Sequence, residues 1–138
     1  MRSNIPEIVF ISAFNSNLSA DTNSRRNELL YAVLSDLNVR CRQCEGHYKG
    51  DKELTFMVFL DHDKGFNEKF FANIAFEQFN QESILYRDKY KEGFLIFNNG
   101  EGVKNIGQIV ELTPEEATKQ DSFTRFPLTD RYLGVKHV

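Results

Sequence analysis

The chain has 138 residues, 17 Lys and Arg against 20 Asp and Glu, 41% hydrophobic residues and two cysteines. A formal net charge of -3 excludes a protein that coats nucleic acid through a basic stripe, and two cysteines cannot frame a disulfide scaffold. No apolar run reaches the roughly 18 residues of a membrane helix and no charged then apolar leader opens the chain, so a cytoplasmic, membrane-free, single-domain protein (1-138) is expected.

Glu7 to Phe14 (EIVFISAF) is short, apolar and rich in branched and aromatic residues, which suits a strand buried on both faces. The polar loop Asn15 to Asn23 follows. Leu29, Leu30, Val33, Leu34 and Leu37 then recur at helical spacing and predict an amphipathic helix from about Asp21 to Leu37. Asn38 to Glu45 alternates weakly, as a strand with one wet face does. Glu53 to Leu60 (ELTFMVFL) is the second strong strand. A second helix is expected over Phe66 to Phe79, then strands over Gln81 to Tyr86 and Glu92 to Phe97, the turn NNGEG, and a strand over Ile106 to Leu112. Thr113-Pro114-Glu115-Glu116 carries a capping Thr, a Pro at the first helical position and a Glu three residues after the cap, the signature of a short helix. The tail from Ser122 should dock on the sheet. This order matches a split βαβ (ferredoxin-like) α+β fold: an antiparallel sheet with two helices on one face, extended by a C-terminal hairpin and the short helix.

The strand segment ISAFN (Ile11 to Asn15), the Ser/Asn-rich loop after it and Asn27-Glu28-Leu29-Leu30 in the next helix form one pattern. Further on stand Gly46, Glu53 before TFMVF, and Phe79-Asn80-Gln81-Glu82-Ser83-Ile84-Leu85-Tyr86. Together they resemble domain-of-unknown-function family 3293, whose members carry a T-A-W/F-N signature, an Asn and Leu in the next helix, a Gly, a Glu before a strong strand and an F-x-Q-x-A-I element. Ser12 stands where that family usually has Thr, and Ser16 where Pro often follows the Asn. The resemblance implies a fold and a cluster of positions, with no reaction attached.

Asn15, Asn27, Glu53 and Gln81 are polar residues at the ends of otherwise apolar elements. With Ser16, and with Arg25 and Arg26 at the start of the first helix, they compose a site for a small anionic ligand. Helix amides and guanidinium groups suit a phosphate or carboxylate. In the tail, Arg125 and Tyr132 belong to a run that interleaves aromatic and cationic residues, placed to close over the ligand or to cover a partner subunit. Against this stands a purely structural reading: Asn15 and Asn27 satisfy buried backbone groups and Glu53 pairs with an arginine.

Other constellations point less far. Cys41-x-x-Cys44-x-x-His47, with His62, has the spacing of metal ligands, but strand alternation would put the two cysteines on opposite faces, so neither a metal nor a cofactor is expected. Asp61-His62-Asp63 reads as a solvated turn, and the sets Phe56/Phe59 and Phe66/Phe70/Phe71 as core. The sequences of P-loops, dinucleotide folds, serine hydrolases and zinc proteases are absent. The leading expectation is a non-enzymatic protein, room being left for a homodimer, that binds a nucleotide or nucleotide-derived signal, as a phage-type sequestering protein would. An interaction module inhibiting a host enzyme comes second. Third comes an enzyme acting on nucleotides or nucleic acid, with Glu53 and His62 as acid/base candidates.

Overall fold

Residues 5–98 and 102–136 are described by the computed structural model. The strands are β1 (Ile8–Ile11), β2 (Cys41–Tyr48), β3 (Asp51–Phe59), β4 (Ser83–Arg87), β5 (Glu92–Phe97), β6 (Val103–Leu112), β7 (Ser122–Phe126) and β8 (Arg131–Lys136). The helices are α1 (Ala20–Asp36), α2 (Glu68–Asn73), which runs on as a π-helical turn over Ile74–Gln78, and α3 (Pro114–Thr118). All neighbouring strands are antiparallel, in the order β1-β3-β2-β7-β8-β6-β5-β4, and β4 returns to β1 to close a barrel of eight strands.

The expected split βαβ sheet is therefore corrected to a closed antiparallel barrel with helices on its outside. The reason lies in β2 and the tail. Tyr48 and Asp51 face each other across a loop of Lys49 (φ 49°) and Gly50 (φ 87°), and two positive φ values give the turn whose twist matches that of a tight hairpin. This hairpin locks β2 along the whole of β3. The other edge of β2 would stand open in a ferredoxin-like sheet. Instead β7 pairs with it, Glu45 opposite Arg125, while β8 pairs with β6, so the tail fills the gap between two edges that would otherwise lack partners. Curvature is sharpened where β5 and β6 slip register between Gly93 and Phe94, opposite Gly107 at φ 102°. The glycine-rich turn expected at NNGEG falls in part on residues 99–101, outside the described residues.

Strand alternation divides the apolar residues between two cores. Ile8, Phe10, Cys44, Met57 and Phe126 point into the barrel, joined by Phe59, Leu85 and Leu133. Val9, Ile11, Phe56, Val58 and Ile84 point outward and are covered by Leu30 and Leu34 of α1 and by Phe71, Ala72, Ile74 and Ala75 of α2 and its extension. All four residues of β1 are buried, as a strand packed on both faces requires. The Thr113/Glu116 capping box forms as predicted at α3, and Asp61-His62-Asp63 enters a single helical turn that ends at Gly65 with φ 80°. Among the described residues, no helix is long and apolar enough to cross a membrane.

Candidate functional site

The loop after β1 is bound to the rest of the molecule by side chains that spend their hydrogen bonds on backbone. Asn23 of α1, buried and not singled out from the sequence, accepts from the Asn15 N–H (2.9 Å) and donates to the carbonyls of Asn15 (3.0 Å) and Leu18 (3.3 Å). Arg26 donates through Nε to the Ala13 carbonyl (2.7 Å) and through Nη2 to that of Phe79, and lies over the Phe79 ring. Gln81 donates to the Phe14 carbonyl (3.1 Å). Asn15 accepts from the Asn17 N–H (2.9 Å) through its own side chain. Three of the nine sequence-predicted residues, Asn15, Arg26 and Gln81, thus meet at this junction. Ser16 and Arg25 are exposed nearby, and Asn27 is half-buried with its Oδ1 lacking a partner.

Arg125 and Tyr132 lie elsewhere, on the outer face where β2, β7 and β8 run side by side. Arg125 reaches Glu45 (3.3 Å) and Asp130 (3.1 Å), and the Tyr132 hydroxyl donates to Asp130 (3.2 Å). His47 stacks on Phe123 there at 4.4 Å between ring centres.

Glu53 is the exception among the predicted residues. It stands near the start of β3 opposite Gly46, with Ser12, Thr55 and Thr124 as the buried polar residues of the barrel. A Cβ at Gly46 would lie 2.9 Å from Thr55 Oγ1 and 3.5 Å from Glu53 Cγ, so the bare backbone there makes room for the glutamate. Burial pushes the Glu53 carboxyl above the ordinary range, and the Ser12 hydroxyl offsets this only in part. That hydroxyl is shared, since it also donates to the Leu54 carbonyl at 2.9 Å. Among the described residues Glu53 has no ion-pair partner, so the pairing with an arginine weighed from the sequence does not form.

Its neighbour on the paired strand differs. Burial also works to raise Glu45, but hydrogen bonds from His47 and Arg125, with Lys52 nearby, outweigh it and hold that carboxyl below its usual value. Both glutamates border a groove of about 450 Å³ completed by Gln43, Lys52, Leu54, Pro127 and Leu128, a size that takes a nucleoside-sized molecule. Cys44 borders it too, but burial pushes its thiol up to about 12, so at neutral pH it is protonated and a poor nucleophile. Cys44 packs in the barrel core and Cys41 against the outer core, while His62 sits on Glu7 at 3.1 Å, so the cysteine and histidine positions do not converge.

A small antiparallel barrel whose interior edge carries a desolvated carboxylate without a counter-ion is a class of binding or catalytic scaffold that suits a cation. The chain belongs to the S-adenosylmethionine lyase family, which it matches over residues 9–134. No curated protein matches it. The family overturns the resemblance to domain-of-unknown-function family 3293. The motifs behind that resemblance are short, and the Asn15 and Gln81 positions within them perform backbone closure that many strand-loop-helix junctions need. It also overturns the expected non-enzymatic, phage-type nucleotide binder, because the family is named for a lyase. Of the readings drawn from the sequence, the third, an enzyme, is the nearest.

Proposed function

We propose that the protein is an S-adenosylmethionine lyase in which Glu53 holds the α-ammonium group of the substrate. The observation that carries this is the half-buried Glu53 carboxylate, which has no ion-pair partner among the described residues, in a family named for a cationic substrate. A buried charge without a partner is costly, and a ligand ammonium group supplies the partner.

The substrate brings its own leaving group. When the bond from sulfur to the γ-carbon breaks, the electron pair goes to the sulfonium and yields a neutral thioether. The electrons for the γ-carbon come either from the substrate carboxylate, whose oxygen forms a five-membered lactone, or from a neighbouring C–H after loss of a proton. The second route needs a base far stronger than a carboxylate to take an unactivated proton, and the Cys44 thiol, pushed up to about 12, is not ionised at neutral pH. The first route needs no protein base: one C–O bond forms, one C–S bond breaks, and no proton moves. The protein's part is to orient the chain and exclude water. The ammonium charge is the same in substrate and product, so an anchor on that group orients the carboxylate without opposing the loss of the sulfonium charge.

Purified protein incubated with S-adenosylmethionine in ¹⁸O-water tests this. Methylthioadenosine and a homoserine lactone should appear, with no ¹⁸O on the γ-carbon. A γ-hydroxyl carrying ¹⁸O, an unsaturated amino acid, or no consumption of substrate would each refute the scheme. Glu53→Gln should lower kcat/KM by roughly 10- to 100-fold, the loss of one charge-assisted hydrogen bond. The wild-type rate should fall with acid on a limb above the ordinary carboxylate range, and that limb should vanish in Glu53→Gln.

A further inference from the structure

Along β3, Met57 and Phe59 stand beyond Glu53 by a distance of roughly 13 to 20 Å at about 3.3 Å per strand residue. They line a cavity of about 170 Å³ at the other end of the barrel, whose apolar floor also includes Ile8 and Phe126. Three arginines from three different strands, Arg42 of β2, Arg87 of β4 and Arg131 of β8, border the same cavity.

Their charges are not equally compensated. Arg131 makes a two-pronged contact with Glu111, at 2.5 Å and 3.0 Å. Arg87 donates one nitrogen to the Pro6 carbonyl (2.8 Å), while its Nε is buried without an acceptor. Burial lowers the pKa of Arg87, and the only opposing influence is Asp88, the next residue in the chain. Arg42 is exposed and has no ion-pair partner among the described residues. Two guanidinium groups thus border one small cavity with less anionic charge than they need, above a floor that water solvates poorly.

We propose that this mouth is a second ligand site, separate from the lyase site, that takes a small carboxylate on a short apolar stem. The guanidinium groups hold the carboxylate in their planar forks, and the stem lies on Ile8, Met57, Phe59 and Phe126. A bare oxyanion would leave that floor uncovered. The volume equals that of roughly five or six liquid waters, which limits the ligand to a short acid.

The test is thermal unfolding of the full chain titrated with hexanoate, with inorganic phosphate and with 1-hexanol. Hexanoate should raise Tm saturably, by about 3 °C or more at ten times its Kd. The shift should disappear in Arg42→Ser, a change at an exposed position that leaves the core untouched, and in Arg87→Met. The proposal fails if hexanoate gives no saturable shift up to about 50 mM, where even a millimolar site would be filled. It also fails if Arg42→Ser keeps the full shift, or if phosphate or hexanol matches hexanoate. The readout does not involve S-adenosylmethionine, so it stands or falls apart from the lyase reading.

Discussion

The two ends of the barrel are mirror images in charge. At one, Glu53 is a half-buried carboxylate without an ion-pair partner among the described residues; at the other, Arg42 and Arg87 border a cavity with too little anionic charge. A salt bridge between them would satisfy both, yet the apolar staves formed by Phe10, Met57 and their neighbours keep them apart. The comparison with Glu45 makes the same point locally. Glu45 lies on the strand beside Glu53 and is met by His47 and Arg125, because its side chain points outward where β7 can reach it. Glu53 shares the interior face with Gly46 and Thr55, and among the described residues no ion pair reaches it. In this fold the side of the sheet a residue faces decides whether its charge is neutralised by the protein or kept for a ligand.

Removing the partition between the ends should have the largest effect. Phe10→Ala empties the barrel core next to Met57 and should cost about 3 to 5 kcal/mol in urea unfolding, since a buried ring is lost and a cavity left. A smaller effect is expected from Gly46→Ala, whose new Cβ meets the buried Thr55 hydroxyl. A cost of about 1 to 2 kcal/mol should be accompanied by a loss of turnover, because the same methyl crowds the Glu53 side of the strand. Smallest, and opposite in sign, is Glu53→Gln. The folded-state pKa of Glu53 is raised, so the folded protein holds this proton more tightly than the unfolded chain, and stability from this residue falls as pH rises from the ordinary carboxylate value through the raised one. Glu53→Gln should therefore be as stable as wild type in acid and slightly more stable, by under about 1 kcal/mol, at pH 8, while being the poorer catalyst. Equal pH slopes for the two proteins would mean that Glu53 is not desolvated and would remove the contrast with Glu45.

What could be read from the sequence was local. A buried strand inside EIVFISAF, shortened to Ile8–Ile11, the helix carrying Leu29 to Leu34 and the capping box at Thr113 depend on neighbours within a few residues, and each is present. Closure into a barrel depends on pairings between distant segments, such as Glu45 with Arg125, and on β2, whose alternation is faint because Cys44 alone among its residues is fully buried. The pair Lys49-Gly50 was the available clue to its hairpin. Asn15, Asn27, Glu53 and Gln81 stand out for lying at element ends, Arg25 and Arg26 for their charge at a helix start, and Arg125 and Tyr132 for an aromatic and cationic run; none of these criteria can tell a residue that ties down a loop, as Arg26 does, from one left without an ion-pair partner among the described residues, as Glu53 is. Arg42 and Arg87 carry no signal in the sequence because each is an ordinary charge at the end of its own strand, Arg131 stands out only as part of the aromatic and cationic tail run, and only the closed sheet brings the three to one mouth.

The closing role of β7 and β8 has a consequence for how the chain acquires its structure. Arg125 finds Glu45 across 80 positions of sequence, so the seam that seals the barrel joins distant segments and is slow to search for. Until the β7-β8 hairpin docks, β2 and β6 carry bare edges that are open to pairing with other unfolded chains. Slow folding, and sensitivity of the refolding yield to protein concentration and temperature, follow from that one long-range seam.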